Sequence, residues 1–256
     1  ILISTVLDFG AGAETEGAEL GYITTLPSMA VTALYHGKAT AASTEAFAEE
    51  ARSFAIGPYA AFLLKGQQAG AGERAAVRRE LARFTGLSEA YLDKADLRVT
   101  SGRFYKELLR DRGLTVGRLD SRYTGRDYDS AGETPDNDPS FYGIDAGYTA
   151  AANAYFRETI GYKPDRNYVT IGGVRDWDWR LGTRDQNNYV NVAPFIGRAM
   201  RENRGLRVFV GQGWYDIATP FFGAEYSLQR PGIPQDRVTY EYYDAGHMMY
   251  VRDEDR

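Results

Sequence analysis

Apolar positions along the chain fall into three regimes. Residues Ile1-Leu2-Ile3-Ser4-Thr5-Val6-Leu7 form a nearly continuous β-branched and apolar run closed by Asp8, Phe9 and Gly10. A short run of this kind predicts a strand buried on both faces. Such a strand needs neighbours on both sides, so a central position is expected, with the 256 residues starting inside a longer polypeptide. From Leu26 to about Asn203 the apolar spacing lengthens to three and four residues, the period of amphipathic helices. The last sixty residues change again. Leu206 to Gly211 reads as a buried strand, Phe221 to Leu228 as a helix, and Arg237 to Tyr243 alternates as a strand. A strand, helix, strand unit with a right-handed crossover implies a parallel sheet, and residues 1 to 7 supply its natural third member.

Within the helical regime several boundaries can be named. Ser43 or Thr44 caps a helix whose inward face is Phe47, Ala51, Phe54, Ala55, Tyr59, Phe62 and Leu63. Gly57-Pro58 interrupts that stripe, and a proline inside a helix removes a backbone donor and crowds the preceding turn, so a kink or break is expected. Val77, Leu81 and Phe84 mark the next helix, stopped by Gly86, and Ser88 restarts a short one through Leu92. Thr100 or Ser101 opens another with Phe104, Leu108 and Leu109 inward, ending at Gly113. Residues 123–147, rich in Tyr, Asp, Gly and Pro, predict a long irregular surface loop. Helices are expected again over Tyr148 to Ile160 and Val190 to Met200.

Composition adds mainly exclusions. Apolar residues make up 43% and charged residues 25%, enough to bury a sizeable core, so wholesale disorder is not expected. Thirty basic and thirty-five acidic residues give a formal charge of −5, with the basic ones scattered, which argues against a nucleic-acid partner. There is no cysteine, so disulfides, thiolate metal sites and a cysteine nucleophile within these residues are excluded together. No apolar run approaches the roughly 20 residues that span a bilayer, and no membrane partner is expected.

The candidate chemistry sits in the closing unit. Asp216 follows the first of its strands in Gly213-Trp214-Tyr215-Asp216-Ile217-Ala218-Thr219-Pro220, and His247 follows the last in Asp244-Ala245-Gly246-His247-Met248-Met249-Tyr250. Both fall at the carboxyl ends of neighbouring parallel strands, where open α/β sheets place their reactive groups. A buried carboxylate that accepts the imidazole Nδ1 proton fixes the tautomer and stabilises the imidazolium formed when Nε2 takes a proton from a hydroxyl nucleophile. Aspartate before histidine, with one helix and one strand between them, is the α/β-hydrolase order. The competing readings are plainer: a strand-end aspartate often caps the next helix, and a glycine-flanked histidine is often a surface-loop residue.

Those two segments, with Phe221-Phe222 after the first, resemble the aspartate and histidine blocks of the serine carboxypeptidase family, above all its bacterial members. Ile1 to Phe9 is similar to the family's strand after the nucleophile helix. Leu26-Pro27-Ser28-Met29-Ala30 and Tyr35-His36-Gly37-Lys38 look like the start of its helical lid, and Tyr148 to Tyr162 with Trp177 to Trp179 like its exit. The resemblance covers nearly the whole chain, but only the aspartate and histidine blocks are specific. It implies an α/β class chain, a partial α/β-hydrolase fold with a large, mainly helical lid. Residues 1–21 would be core, 22–196 the lid, and 197–256 the core's closing strand, helix and strand. It further implies His247 as general base, Asp216 as its orienter, and Met248 lining the pocket for the leaving C-terminal residue of a peptide substrate. No metal or cofactor is called for, and a periplasmic or secreted location is favoured. The family's Gly-Glu-Ser-Tyr-Gly-Gly elbow has no counterpart, since no Gly-x-Ser-x-Gly occurs in the sequence. The nucleophilic serine is therefore expected on a missing N-terminal segment or a companion chain. After the histidine, Met249-Tyr250 replaces the family's common Val-Pro. The rival expectations are an esterase or acyltransferase on the same scaffold, and a non-catalytic binding protein.

The remaining candidates are weaker. His36 lies before a glycine at a helix end, where it suits the terminal carbonyls. Asp127-Tyr128-Asp129-Ser130-Ala131-Gly132, with Asp136 and Asp138 beyond, faintly resembles a calcium loop but lacks the closing glutamate, and reads rather as a solvated loop. The nineteen tyrosines read as half-buried packing. Trp177-Asp178-Trp179 invites a carbohydrate reading but belongs, by the resemblance, to the lid's return.

Overall fold

The computed structural model describes residues 1–163, 165–170 and 190–251. Trp177-Asp178-Trp179 lies outside the described residues. The chain is mixed α/β, with a small parallel sheet and a large set of helices. Strand β1 (Leu2–Ile3) is followed by α1 (Leu20–Tyr35), α2 (Thr44–Phe54), α3 (Ala60–Lys65), α4 (Ala71–Thr85), α5 (Glu89–Lys94) and α6 (Ser101–Glu107). A two-stranded hairpin, β2 (Thr115–Val116) and β3 (Thr124–Gly125), comes next, then α7 (Pro139–Tyr142), α8 (Asp145–Ala154) and α9 (Ala193–Glu202). The chain closes with β4 (Val208–Gly213), α10 (Phe221–Leu228) and β5 (Val238–Tyr243). Among the described residues no helix is long and apolar enough to cross a membrane.

The sheet runs β1-β4-β5, all parallel, with Leu2 opposite Val210 and Val208 through Gly213 opposite Val238 through Tyr243. The expected strand, helix, strand unit is thus present, and β1 is the third strand of its sheet. The expectation of a buried central strand over residues 1 to 7 is corrected. β1 is two residues long and, among the described residues, pairs on one edge only. Ser4 takes a left-handed φ of 47°, which ends the extended run and turns Val6 partly outward. Beyond it the backbone reaches a different neighbour: Val192 N–H donates to Leu7 O at 2.7 Å, and Asn191 Nδ2 donates to the Asp8 carboxylate at 2.8 Å.

Helix starts follow from local chemistry. Ser43, Ser88 and Thr100 each accept a hydrogen bond from the amide three residues on, at Ala46, Tyr91 and Arg103. Gly86 closes α4 in the left-handed conformation that its φ of 68° requires. At Gly57-Pro58 the chain does not break. Residues Ala55–Tyr59 form a π-helical turn that joins α2 to α3, and the wider turn accommodates the donor Pro58 lacks. The region expected to be one irregular loop contains β3 and α7, with α8 beginning at Asp145. The expected boundary at residue 22 falls inside α1, and that at 196 inside α9.

Two apolar clusters result. The larger gathers α1, α2, α4 and α6 through Met29, Phe47, Phe54, Phe84 and Phe104, and reaches Trp214, Tyr215 and Ile217 of the β4–α10 connection and Phe221 of α10. The smaller fills the space against the sheet with Leu7, Met200, Val208, Val210, Ala224 and Leu228. The loops after β4 and β5 are therefore held between the sheet and the helices.

Candidate active site

β4 ends at Gly213, and the next three residues turn the chain so that Asp216 is completely buried. Its position depends on a close backbone approach: a Cβ on Gly213 would lie 2.2 Å from Gly246 O and 2.3 Å from Ala245 O. Only glycine lets the two loops touch there. Trp214 N–H and Tyr215 N–H then donate to Tyr243 O and Ala245 O, both at 3.0 Å, continuing the parallel pairing past the strands.

His247 Nδ1 lies 2.9 Å from Asp216 Oδ2. Because an ionised carboxylate only accepts, Nδ1 carries the proton and the neutral ring presents Nε2 as a base. The other contacts of Asp216 come from Thr219, whose N–H donates to Oδ1 at 2.9 Å and whose hydroxyl donates to Oδ2 at 2.6 Å. The plain reading of Asp216 as a helix cap is thereby excluded, since Pro220 occupies that position of α10 and Asp216 caps only the turn before it. The His247 side chain is 31% exposed against 0% for Asp216, so the pair has a dry inner end and a wet outer one. Met248 follows His247 as a half-buried residue, while Met249 is the buried one and packs over Gly211.

Both loops are gripped from outside the sheet by the turn of the β2–β3 hairpin. Ile217 N–H donates to Arg118 O at 3.2 Å, Ser121 N–H to Tyr215 O at 2.9 Å, and His247 N–H to Leu119 O at 2.7 Å. Gly246 is needed at this crossing, because a Cβ there would lie 2.4 Å from Leu119 O. Arg122 adds a hydrogen bond to Asp244 O at 2.6 Å and stacks over Tyr215 at 5.0 Å. The turn is itself anchored by Asp138, which accepts from Arg118 N–H at 2.9 Å and Leu119 N–H at 3.3 Å, and by Ser140 Oγ, 3.0 Å from Leu119 N.

Other candidates acquire different roles. The His36 N–H closes α1 on Thr32 O at 3.1 Å, but its side chain does not serve that helix end, as the sequence suggests; Nε2 donates to Ser121 O at 2.7 Å, another anchor of the same turn. Burial, and secondarily Arg112, hold its pKa below the ordinary value, against the pull of the Ser121 carbonyl. The carboxylates of the supposed calcium loop are committed elsewhere. Asp127 pairs with Lys106 at 2.5 Å with both side chains 2% exposed, Asp129 accepts from Ala131 N–H, and Asp136 from Tyr128 N–H. That loop is not simply solvated; it is clamped to α6 by a buried ion pair. Among the described residues no group of three or more potential metal ligands occurs.

Thr219 and Ser4 were not singled out from sequence. An acceptor followed three residues later by a hydroxyl, Asp216-x-x-Thr219, is the local signal that marks the first. Compared with protein-family models, curated proteins and solved structures, the chain has no match in any of the three.

Proposed function

We propose that this chain carries the histidine and aspartate of a serine-type carboxypeptidase, built on part of an α/β-hydrolase fold with residues 22–196 as its lid. The observation that carries the reading is the 2.9 Å contact from His247 Nδ1 to a fully buried Asp216, with the His247 side chain itself part-exposed. The order of the two residues, each after one of two adjacent parallel strands with one helix between, supports the hydrolase assignment. The serine comes from a polypeptide segment outside these residues. In the reaction His247 Nε2 removes the serine proton as Oγ attacks the last peptide carbonyl. The same proton then passes to the departing amine, the C–N bond breaks, and water releases the acyl group by the same path. Asp216 keeps Nδ1 protonated and offsets the imidazolium charge, and Met248 contacts the leaving C-terminal residue.

The test uses the chain together with its serine-bearing segment. Blocked dipeptides should be hydrolysed with release of the free C-terminal residue, and a fluorophosphonate should label the serine. His247→Ala should lower acylation by about 10⁴-fold or more while substrate binding persists. Near-normal turnover in that variant defeats the assignment. Cleavage of aryl esters without peptide hydrolysis favours an esterase or acyltransferase, and ligand binding with no labelling favours a non-catalytic protein.

A further inference from the structure

The His247 backbone is held from both sides. Its N–H is bound by Leu119 O, and its carbonyl accepts the Ser4 hydroxyl at 2.6 Å. Ser4 reaches that carbonyl from β1, 243 positions away in the chain, and is 9% exposed. It is also one of three non-glycine residues with positive φ among the described residues, at 47°. A residue held in that region costs free energy and persists where its surroundings over-determine it, a condition concentrated at functional sites. Its own N–H is bound to Gly211 O at 3.0 Å, so the turned backbone is locked to β4 while the side chain points along the sheet's carboxyl edge to His247. The hydroxyl proton goes to a carbonyl in this arrangement, so Ser4 does not supply the nucleophile.

We propose that Ser4 is a positioning residue: its strained backbone aims a hydroxyl at the His247 carbonyl and so fixes the direction in which the imidazole leaves the chain. Without that bond the His247 backbone is anchored at its N–H alone, and a shift of Cα there would carry the Cα–Cβ bond with it and swing Nδ1 from Asp216. The inference rests on His247 acting as the general base, and displacement of a reacting group by about 1 Å costs as much as 10²-fold in rate.

Two substitutions separate positioning from mere stability. Ser4→Ala removes the hydroxyl and keeps the unfavourable φ, whereas Ser4→Gly removes the hydroxyl and relieves the strain. In Ser4→Gly the thermal midpoint should hold or rise. In both variants solvent exchange of the His247 Nδ1 proton, followed by NMR on this chain, should speed up by about tenfold or more. With the serine-bearing segment present, kcat for blocked dipeptides should fall by a similar factor with KM unchanged. If Ser4 only supports the fold, Ser4→Gly leaves both exchange and kcat at parental values, and that result overturns the proposal. The parent reports on the underlying reading separately: absence of an Nδ1 proton signal, or full turnover in His247→Ala, removes the dyad and Ser4's role with it. An inactive His247→Ala beside an unaffected Ser4→Gly removes Ser4 alone.

Discussion

A buried charged cluster ties α2 to α10 and β5, and its loss should be costly. Arg52 of α2 donates to Glu225 of α10 through Nε at 2.9 Å and Nη2 at 2.7 Å, and Tyr242 of β5 donates to the same carboxylate at 2.7 Å. The side chains of Arg52 and Glu225 are 14% and 5% exposed. The guanidinium also lies over Phe221, Tyr242 and Trp214, at 4.8, 5.3 and 5.7 Å from the ring centres. Arg52→Met removes two charge-assisted bonds and leaves a carboxylate buried with one neutral donor, a loss of about 3–5 kcal/mol. For a chain of this length that is a fall of roughly 10–15 °C in the melting midpoint. The Arg52→Met/Glu225→Gln double variant no longer buries an unpaired charge, so its cost should be smaller than the sum of the single costs by about 1.5–3 kcal/mol. Urea unfolding followed by far-ultraviolet dichroism and by fluorescence of Trp214, which stacks on Tyr242, measures all four corners of the cycle. Additivity within about 0.5 kcal/mol, or a cost below about 1 kcal/mol for Arg52→Met, would refute the idea that this pair joins the two layers.

Three further expectations are independent of that cluster. Gly246→Ala drives a Cβ to within 2.4 Å of Leu119 O, and backbone cannot yield as a side-chain end does; a loss of about 2–4 kcal/mol with faster exchange of the His247 amide is expected, and an unchanged melt excludes it. Tyr59→Phe strands the Leu97 carbonyl, which accepts the buried hydroxyl at 2.7 Å in a turn where Leu97 itself has φ of 59°, so about 1–2 kcal/mol should be lost in urea melts. His36→Gln tests a pH effect: burial lowers the folded-state pKa of His36 below its ordinary 6.5, so the folded state binds fewer protons near that pH than the unfolded one. The stabilisation is present above 6.5 and lost as pH falls through the folded value, and a non-titrating glutamine that keeps the donor to Ser121 should gain on the parent as pH is lowered through and below 6.5. Parallel stability curves for parent and variant over that range would remove His36 as the source.

What could be read from sequence was local. The span of α10 follows from its apolar run, and the starts of α2, α5 and α6 from single hydroxyl caps, because each depends on neighbours three or four residues away. The β2–β3 hairpin escaped notice because its strands are two residues each, too short for alternation to show. The ion pair of Lys106 and Asp127 joins residues 21 apart through a loop with no periodic pattern, so composition made a buried charge look like a solvated one. The length of β1 was misjudged for a related reason: its apolar run is continuous, but one residue at positive φ redirects it, and a serine does not advertise that conformation as a glycine would.

The same distinction explains which parts of the candidate site were visible. Asp216 and His247 announce themselves because both stand just past a strand, and their contact follows from side-chain chemistry. The grip on them does not, because Arg118, Leu119 and Tyr215 take part through carbonyl oxygens, which every residue possesses. Side-chain identity matters at Thr219 and Ser4, which touch the dyad residues directly, and again one step further out, at Asp138, Ser140 and His36, which hold the turn. Three chain regions that are remote in sequence, around residues 4, 119 and 216, therefore converge on one histidine. Its geometry belongs to the packing of helices against sheet, not to the loop that carries it. It follows that substitutions at Arg52 or Asp138, neither of which contacts His247, should change the exchange of its Nδ1 proton to the extent that they loosen that packing.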